Sequence, residues 1–304
     1  MNNESKKVHI NDRSIKTAGI TNDYKEAISE FLWNAFDAKA SIVRVDFDNK
    51  NPVGHISSFS ISDNGTGIDF NNLPNTFGSF LDSEKKDDSY QRSSYTHGRK
   101  GKGRFSFEAL AASAVWETIY DDGGLHKYTI TISSNDKDHY VTEEQKNVEQ
   151  KSTGTIVIFK GIHTVSAAEL GSRELKNFLK REFGWFLHLN KSEDFKILIN
   201  DEKLEYDDII ADSESFILDL KDSKERPASF RINYVRWADK IGDKFYFYYL
   251  NSKKYESGKN LTSFNNKGDD FNHSVYIESD YFDNFTWVDA KRKDMVPLLG
   301  KSQS

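Results

Sequence analysis

The sequence predicts an α/β protein of two domains, and three observations carry that reading. Its 304 residues exceed the roughly 100 to 200 that one ordinary domain occupies. A segment near the start repeats apolar residues at helical spacing, and short runs of β-forming residues bounded by turns recur along the rest. With 37% hydrophobic residues, including 22 Phe and 14 Tyr, the chain has material for a packed core despite a charged fraction of 30%.

From Asp23 to Lys39, apolar residues fall at Tyr24, Ala27, Ile28, Phe31, Leu32, Ala35 and Phe36, which predicts a helix with one buried face. Strands are expected at Ile42 to Phe47 and Ile56 to Ser62, separated by turn-forming residues around Pro52 and Gly54. Residues 70 to 97 are polar and aperiodic, a length that reads as a functional loop or lid. A glycine cluster, Gly98, Gly101 and Gly103, closes it, and a helix is expected from Arg104 to Val115. Trp116 to Tyr120 and His126 to Ser133 read as a hairpin turning on Asp121-Asp122-Gly123-Gly124, and Thr155 to Lys160 as a further strand. The domain boundary is expected near residues 162 to 172. Beyond it come a helix at Glu174 to Leu189 and strands at Phe195 to Asn200, Ser215 to Leu220, Phe230 to Trp237, Lys244 to Leu250 and His273 to Glu278. This divides the chain into an N-terminal arm (1–21), a first domain (22–165) with its lid at about 70–103, and a second α/β domain (166–304).

A formal charge of −6 gives no whole-protein field that would draw in nucleic acid, leaving only a local basic patch to do so. The absence of cysteine excludes disulfides, thiolate zinc sites and a cysteine nucleophile, and the eight histidines show no ligand-like spacing. The first residues lack the apolar core of a signal peptide, and no stretch approaches the roughly 20 apolar residues of a membrane span. A soluble, cytoplasmic protein is the expectation.

On the first helix Glu30, Asn34 and Asp37 follow one another at i, i+4 and i+7, forming one polar stripe. A carboxylate one turn from a carboxamide can poise water as a general base while the amide oxygen completes the shell of a phosphate-bound magnesium ion. The same stripe alone is equally an ordinary solvated helix face. Asp63 ends a strand and precedes Gly65 and Gly67, so its carboxylate can face a pocket floored by bare backbone and accept a hydrogen bond from an adenine amino group. By itself the segment also fits a simple turn. Gly98-Arg99-Lys100-Gly101-Lys102-Gly103 would offer backbone N–H groups and positive charge to an anion, or be merely a basic surface loop. Thr155, at the start of an inner strand, places a hydroxyl where it can support the Asp63 carboxylate, though threonine is common in strands.

Taken in order, these pieces resemble the ATP-binding domain of the gyrase, heat-shock chaperone, histidine kinase and MutL superfamily (GHKL, with the Bergerat fold). Glu30-Phe-Leu-Trp-Asn34-Ala-Phe-Asp37-Ala38 resembles the first motif of that family, and Asp63-Asn-Gly65-Thr-Gly67 the second. Gly98-x-x-Gly101-x-Gly103 resembles the third, and Gly154-Thr155 before an apolar strand the fourth. The likeness covers residues 22 to about 160. It implies a two-layer sandwich: a mixed, largely antiparallel sheet with helices on one face, followed by a transducer-like α/β domain. It also implies that Glu30 activates water, Asn34 holds Mg2+, Asp37, Gly65 and Gly67 belong to the nucleotide site, Asp63 and Thr155 bind adenine, and Gly98, Gly101, Lys102 and Gly103 bind phosphates.

Hydrolysis coupled to lid closure and an ATP-dependent homodimer are further implications, with a lysine or arginine of the second domain reaching the terminal phosphate. Lys291, Arg292 and Lys293 are the candidates for that cation. Within the superfamily Phe107-Glu108-Ala109-Leu110-Ala111 is similar to MutL, while the run Gly98-Arg-Lys-Gly-Lys-Gly-Arg-Phe105 is similar to bacterial ATPases resembling the heat-shock chaperones. A client protein or DNA is a possible partner. The alternative is a switch that binds ATP with little turnover and recruits such a partner.

Overall fold

The computed structural model describes residues 4–7, 21–48, 56–76, 103–149, 152–222, 225–242, 244–266 and 271–283. Two compact units divide the chain between Glu205 and Tyr206.

In the first unit the elements are β1 (Glu4–Lys7), α1 (Tyr24–Asp37), β2 (Ile42–Phe47), β3 (Phe59–Asp63), α2 (Leu73–Thr76), β4 (Ala111–Asp121) and β5 (Leu125–Ser133). There follow β6 (Asp136–Thr142), β7 (Lys146–Asn147), β8 (Gly154–Ile162), α3 (Ala167–Leu170), α4 (Arg173–Leu189), β9 (Lys196–Ile199) and β10 (Glu202–Lys203). The strands form one sheet in the order β1-β6-β5-β4-β8-β3-β2-β9-β10, with β7 paired to β5. Every pairing is antiparallel except β2 with β9. The mixed, largely antiparallel sheet that the resemblance implies is the sheet that forms.

α1 starts where Asp23 accepts a hydrogen bond from the Lys25 N–H (2.8 Å), satisfying one of the free donors of the first turn. It ends where Lys39 turns left-handed at φ 62°. Its apolar face lies on the sheet, with the Phe31 ring 5.2 Å from Phe159 on β8 and 6.4 Å from Trp116 on β4. Beside it packs α4, whose Phe183 ring lies 4.4 Å from Trp33. The Trp33 indole N–H donates to the buried Glu182 carboxylate at 2.8 Å, which fixes the rotation of α1 about its axis.

Two sequence expectations are corrected. The helix expected from Arg104 to Val115 is a 3-10 turn, Gly103–Ala109, after which β4 begins at Ala111. Antiparallel pairing of Ala111–Ile119 with β8 overrides the helical propensity of the alanines. The boundary expected at 162 to 172 lies at 205/206, because α4 packs on α1 and β9 extends the first sheet beside β2.

The second unit holds β11 (Ile210–Lys221), β12 (Pro227–Trp237), β13 (Tyr246–Leu250), β14 (Glu256–Leu261) and β15 (His273–Glu278), in the order β11-β12-β15-β13-β14. Its core centres on the stacked rings of Tyr248 and Tyr276, 5.1 Å apart, with Val235, Trp237 and Leu250 buried. Its described residues contain 3-10 turns but no α-helix.

Candidate functional site

Asp63 stands at the last position of β3, opposite Thr155 on β8. Its Oδ1 accepts from the Gly65 N–H at 2.8 Å, and the Thr155 backbone also donates to the carboxylate. Burial raises its pKa from 3.8 to about 6, and the two backbone hydrogen bonds oppose that rise. The side chain is therefore a poorly hydrated acceptor.

The loop after Asp63 is pinned on both sides. A Cβ on Gly65 would stand 2.5 Å from the Ala38 carbonyl oxygen, just past the end of α1. Gly67 has φ +74° and approaches the Ile119 carbonyl of β4 so closely that any side chain would collide with it. Thr66 N–H donates to Ala38 O at 2.8 Å, and the Thr153 hydroxyl donates to Gly65 O at 2.6 Å. The Asn64 amide oxygen accepts from the N–H groups of Ser41 and Ile42 (3.0 and 2.9 Å), and its nitrogen donates to the Ser41 hydroxyl. The loop that fixes Asp63 is thus bound directly to the end of α1, the helix that carries Glu30, Asn34 and Asp37.

On α1, Glu30 is half-buried, while Asn34 and Asp37 are exposed, leaving the amide oxygen of Asn34 accessible. The 3-10 turn that begins at Gly103 packs against α1 through its own buried residues, among them Phe105 and Phe107. Gly98, Gly101 and Lys102, along with Lys291, Arg292 and Lys293, lie outside the described residues.

Thr155 is buried, and its hydroxyl lies 3.1 Å from that of Thr118 on β4. Thr118, wholly buried, accepts from the Ile68 N–H at 2.9 Å. Two threonines therefore join β8, β4 and the residue after Gly67 into one hydrogen-bonded chain. Sequence reasoning missed Thr118. The available signal was a polar residue on the inward face of a strand, alternating with the apolar Trp116 and Tyr120.

Among the described residues no group of three or more metal-binding side chains occurs, and no helix is long and apolar enough to cross a membrane.

Residues 21–157 match the family described as histidine kinase-, DNA gyrase B-, and HSP90-like ATPase. The likeness is confined to that segment, which holds Glu30, Asn34, Asp63 and Thr155. Among solved structures, the ATPase region of Saccharomyces cerevisiae topoisomerase II aligns over 84% of this chain and 72% of its own, with 16% identity and a TM-score of 0.45. No curated protein matches the chain.

Proposed function

We propose that residues 21–157 bind Mg-ATP and hydrolyse it. The observation that carries this reading is Asp63, a carboxylate withdrawn from water at a strand end, in a glycine loop tied to the helix of Glu30 and Asn34. An acceptor of that kind matches the exocyclic amino group of adenine, which can only donate. Thr155 supports the same contact through water.

Asn34 would supply the protein ligand for a phosphate-bound magnesium ion. An accessible amide oxygen on α1 fits that demand, and the ion, when bound, neutralises phosphate charge. Gly98, Gly101, Lys102 and Gly103 receive the phosphates. Glu30 orients the attacking water and takes its proton as the water oxygen bonds to the terminal phosphorus and ADP leaves. Asp37 completes the polar stripe. ATP binding and hydrolysis drive closure of a lid at about 70–103 and pairing of two chains through their N-terminal segments. One of Lys291, Arg292 and Lys293 completes the charge at the terminal phosphate. The motion serves a partner protein or DNA in a chaperone-like, MutL-like or defence-type role.

Phosphate release from Mg-ATP, measured together with nucleotide binding for the wild type and Glu30→Ala, tests the reading. Turnover should fall on the order of 100-fold or more in Glu30→Ala, with binding retained. Binding without turnover in the wild type would favour the switch. Absence of saturable ATP binding would overturn both.

A further inference from the structure

A row of polar side chains crosses the first sheet. Asp63 on β3 lies directly opposite Thr155 on β8, Thr155 opposite Thr118 on β4, and Thr118 opposite Tyr128 on β5. Directly opposed residues project from the same face, so the row runs from the Asp63 carboxylate to the Tyr128 phenol without changing sides. Tyr128 is 2% exposed, and its ring is met edge-on by Tyr120 and Phe70, with centroids 5.9 and 5.0 Å away. Burial raises its pKa above the usual phenol value, so the hydroxyl stays a donor. It donates to the Ile68 carbonyl at 2.9 Å, while the Ile68 N–H donates to Thr118, so side chains of two adjacent strands hold both backbone groups of this residue. Gly67, just before it, has φ +74° and is the natural pivot of the loop. Gly65, two residues earlier, supplies the N–H that the Asp63 carboxylate accepts. The loop is therefore anchored at both ends, to the end of α1 through Asn64 and Thr66 and to β4 and β5 through Ile68.

We infer that Tyr128 is a positioning residue for base recognition: by holding the Ile68 carbonyl it keeps the Asp63–Gly67 loop, and with it the Asp63 carboxylate, aimed at the amino group of adenine. This rests on the reading of Asp63 as the adenine acceptor. Phenylalanine would fill the same space, so packing alone does not call for the hydroxyl. Without that hydroxyl the Ile68 carbonyl loses its donor, Ile68 is held by Thr118 alone, and the loop gains freedom to turn at Gly67. The Gly65 N–H then restrains the carboxylate less firmly. The proposed magnesium ligand and general base stand on α1, so the effect falls on recognition of the base rather than of the triphosphate.

Inosine triphosphate carries a carbonyl where ATP carries the amino group and shares its ribose and triphosphate. Calorimetric titration of wild type and Tyr128→Phe with the magnesium complexes of both nucleotides therefore separates the base contact from the rest. Tyr128→Phe keeps the ring and its edge-on neighbours, and its circular dichroism spectrum should match the wild type. The wild type should prefer ATP. Tyr128→Phe should bind ATP about 3- to 10-fold more weakly, the range one hydrogen bond supplies, and inosine triphosphate within about twofold of the wild type. Added to Asp63→Asn, the same substitution should cost less than about twofold in ATP affinity, because the charged acceptor it positions is already gone. Equal losses for both nucleotides would overturn the inference, since they mark a role in stability alone. Unchanged ATP affinity, or a loss as large in Asp63→Asn as in the wild type, would overturn it too, and all three results leave the proposed hydrolysis standing. A wild type that binds the two nucleotides equally would remove the adenine contact of Asp63 and the inference with it, while nucleotide binding survives. A wild type that binds neither would overturn the proposed function and the inference together.

Discussion

Replacing Asp63 by asparagine should stabilise the protein while weakening its site. Burial lifts the Asp63 pKa from 3.8 to about 6, so between those values the folded chain holds a proton that the unfolded chain has released. Stability contributed by this group is fully present below pH 3.8 and falls as pH rises through about 6. The gap, at about 1.36 kcal/mol per pH unit, amounts to about 3 kcal/mol lost by neutral pH. Asparagine keeps an oxygen for the Gly65 N–H but has no charge to desolvate. Urea denaturation of wild type and Asp63→Asn from pH 4 to pH 8 reads the difference directly, and subtraction removes groups common to both. The variant should match the wild type near pH 4 and exceed it by up to about 3 kcal/mol above pH 6. A difference that does not vary with pH, or a variant less stable throughout, would refute the assignment of a costly buried carboxylate.

Gly67→Ala places a side chain at φ +74° against the Ile119 carbonyl, and should lower stability by at least about 2 kcal/mol, read from the urea midpoint. Thr118→Val keeps the shape of the side chain but leaves the Ile68 N–H without its acceptor and removes the partner of the Thr155 hydroxyl. A loss of about 1 to 3 kcal/mol is expected by the same measurement, with faster amide exchange at Ile68 to show that the effect is local.

How much of this was legible in the sequence depends on how local each signal is. α1 could be read because seven apolar positions repeat at its own period, and its amphipathic face needs no knowledge of what covers it. Asp63 could be read because Gly65 and Gly67 mark a backbone that must pass close to other chain, although which chain, Ala38 and Ile119, was hidden. The start of β4 was misread because Ala109, Ala111, Ala112 and Ala114 favour a helix in isolation, and only pairing with β8 makes them a strand. α4 was recognised as a helix but assigned to the wrong unit. Its spacing reveals an apolar face, whereas the contact of Phe183 with Trp33 spans 150 positions in the chain. β14 was missed because Glu256-Ser-Gly-Lys-Asn-Leu261 has little β propensity, and its backbone pairing with β13 supplies the order.

The same long-range contacts explain why the cost at Asp63 is tolerated. The loop has no freedom to turn the carboxylate outward, because Asn64 is hydrogen-bonded to Ser41 and Ile42, Thr66 to Ala38, and Ile68 to Thr118. A desolvated acceptor held in this way gains a hydrogen bond when a donor arrives, without reorganising its surroundings. The stability order of wild type and Asp63→Asn should therefore depend on nucleotide. At an ATP concentration about 100 times its dissociation constant, the wild type gains about 2.7 kcal/mol. If Asp63 meets adenine as proposed, the variant gains less at the same concentration. The advantage of asparagine at neutral pH should shrink towards zero or reverse as ATP is added. Equal nucleotide-induced shifts in the urea midpoints of the two proteins would mean that Asp63 does not meet the base.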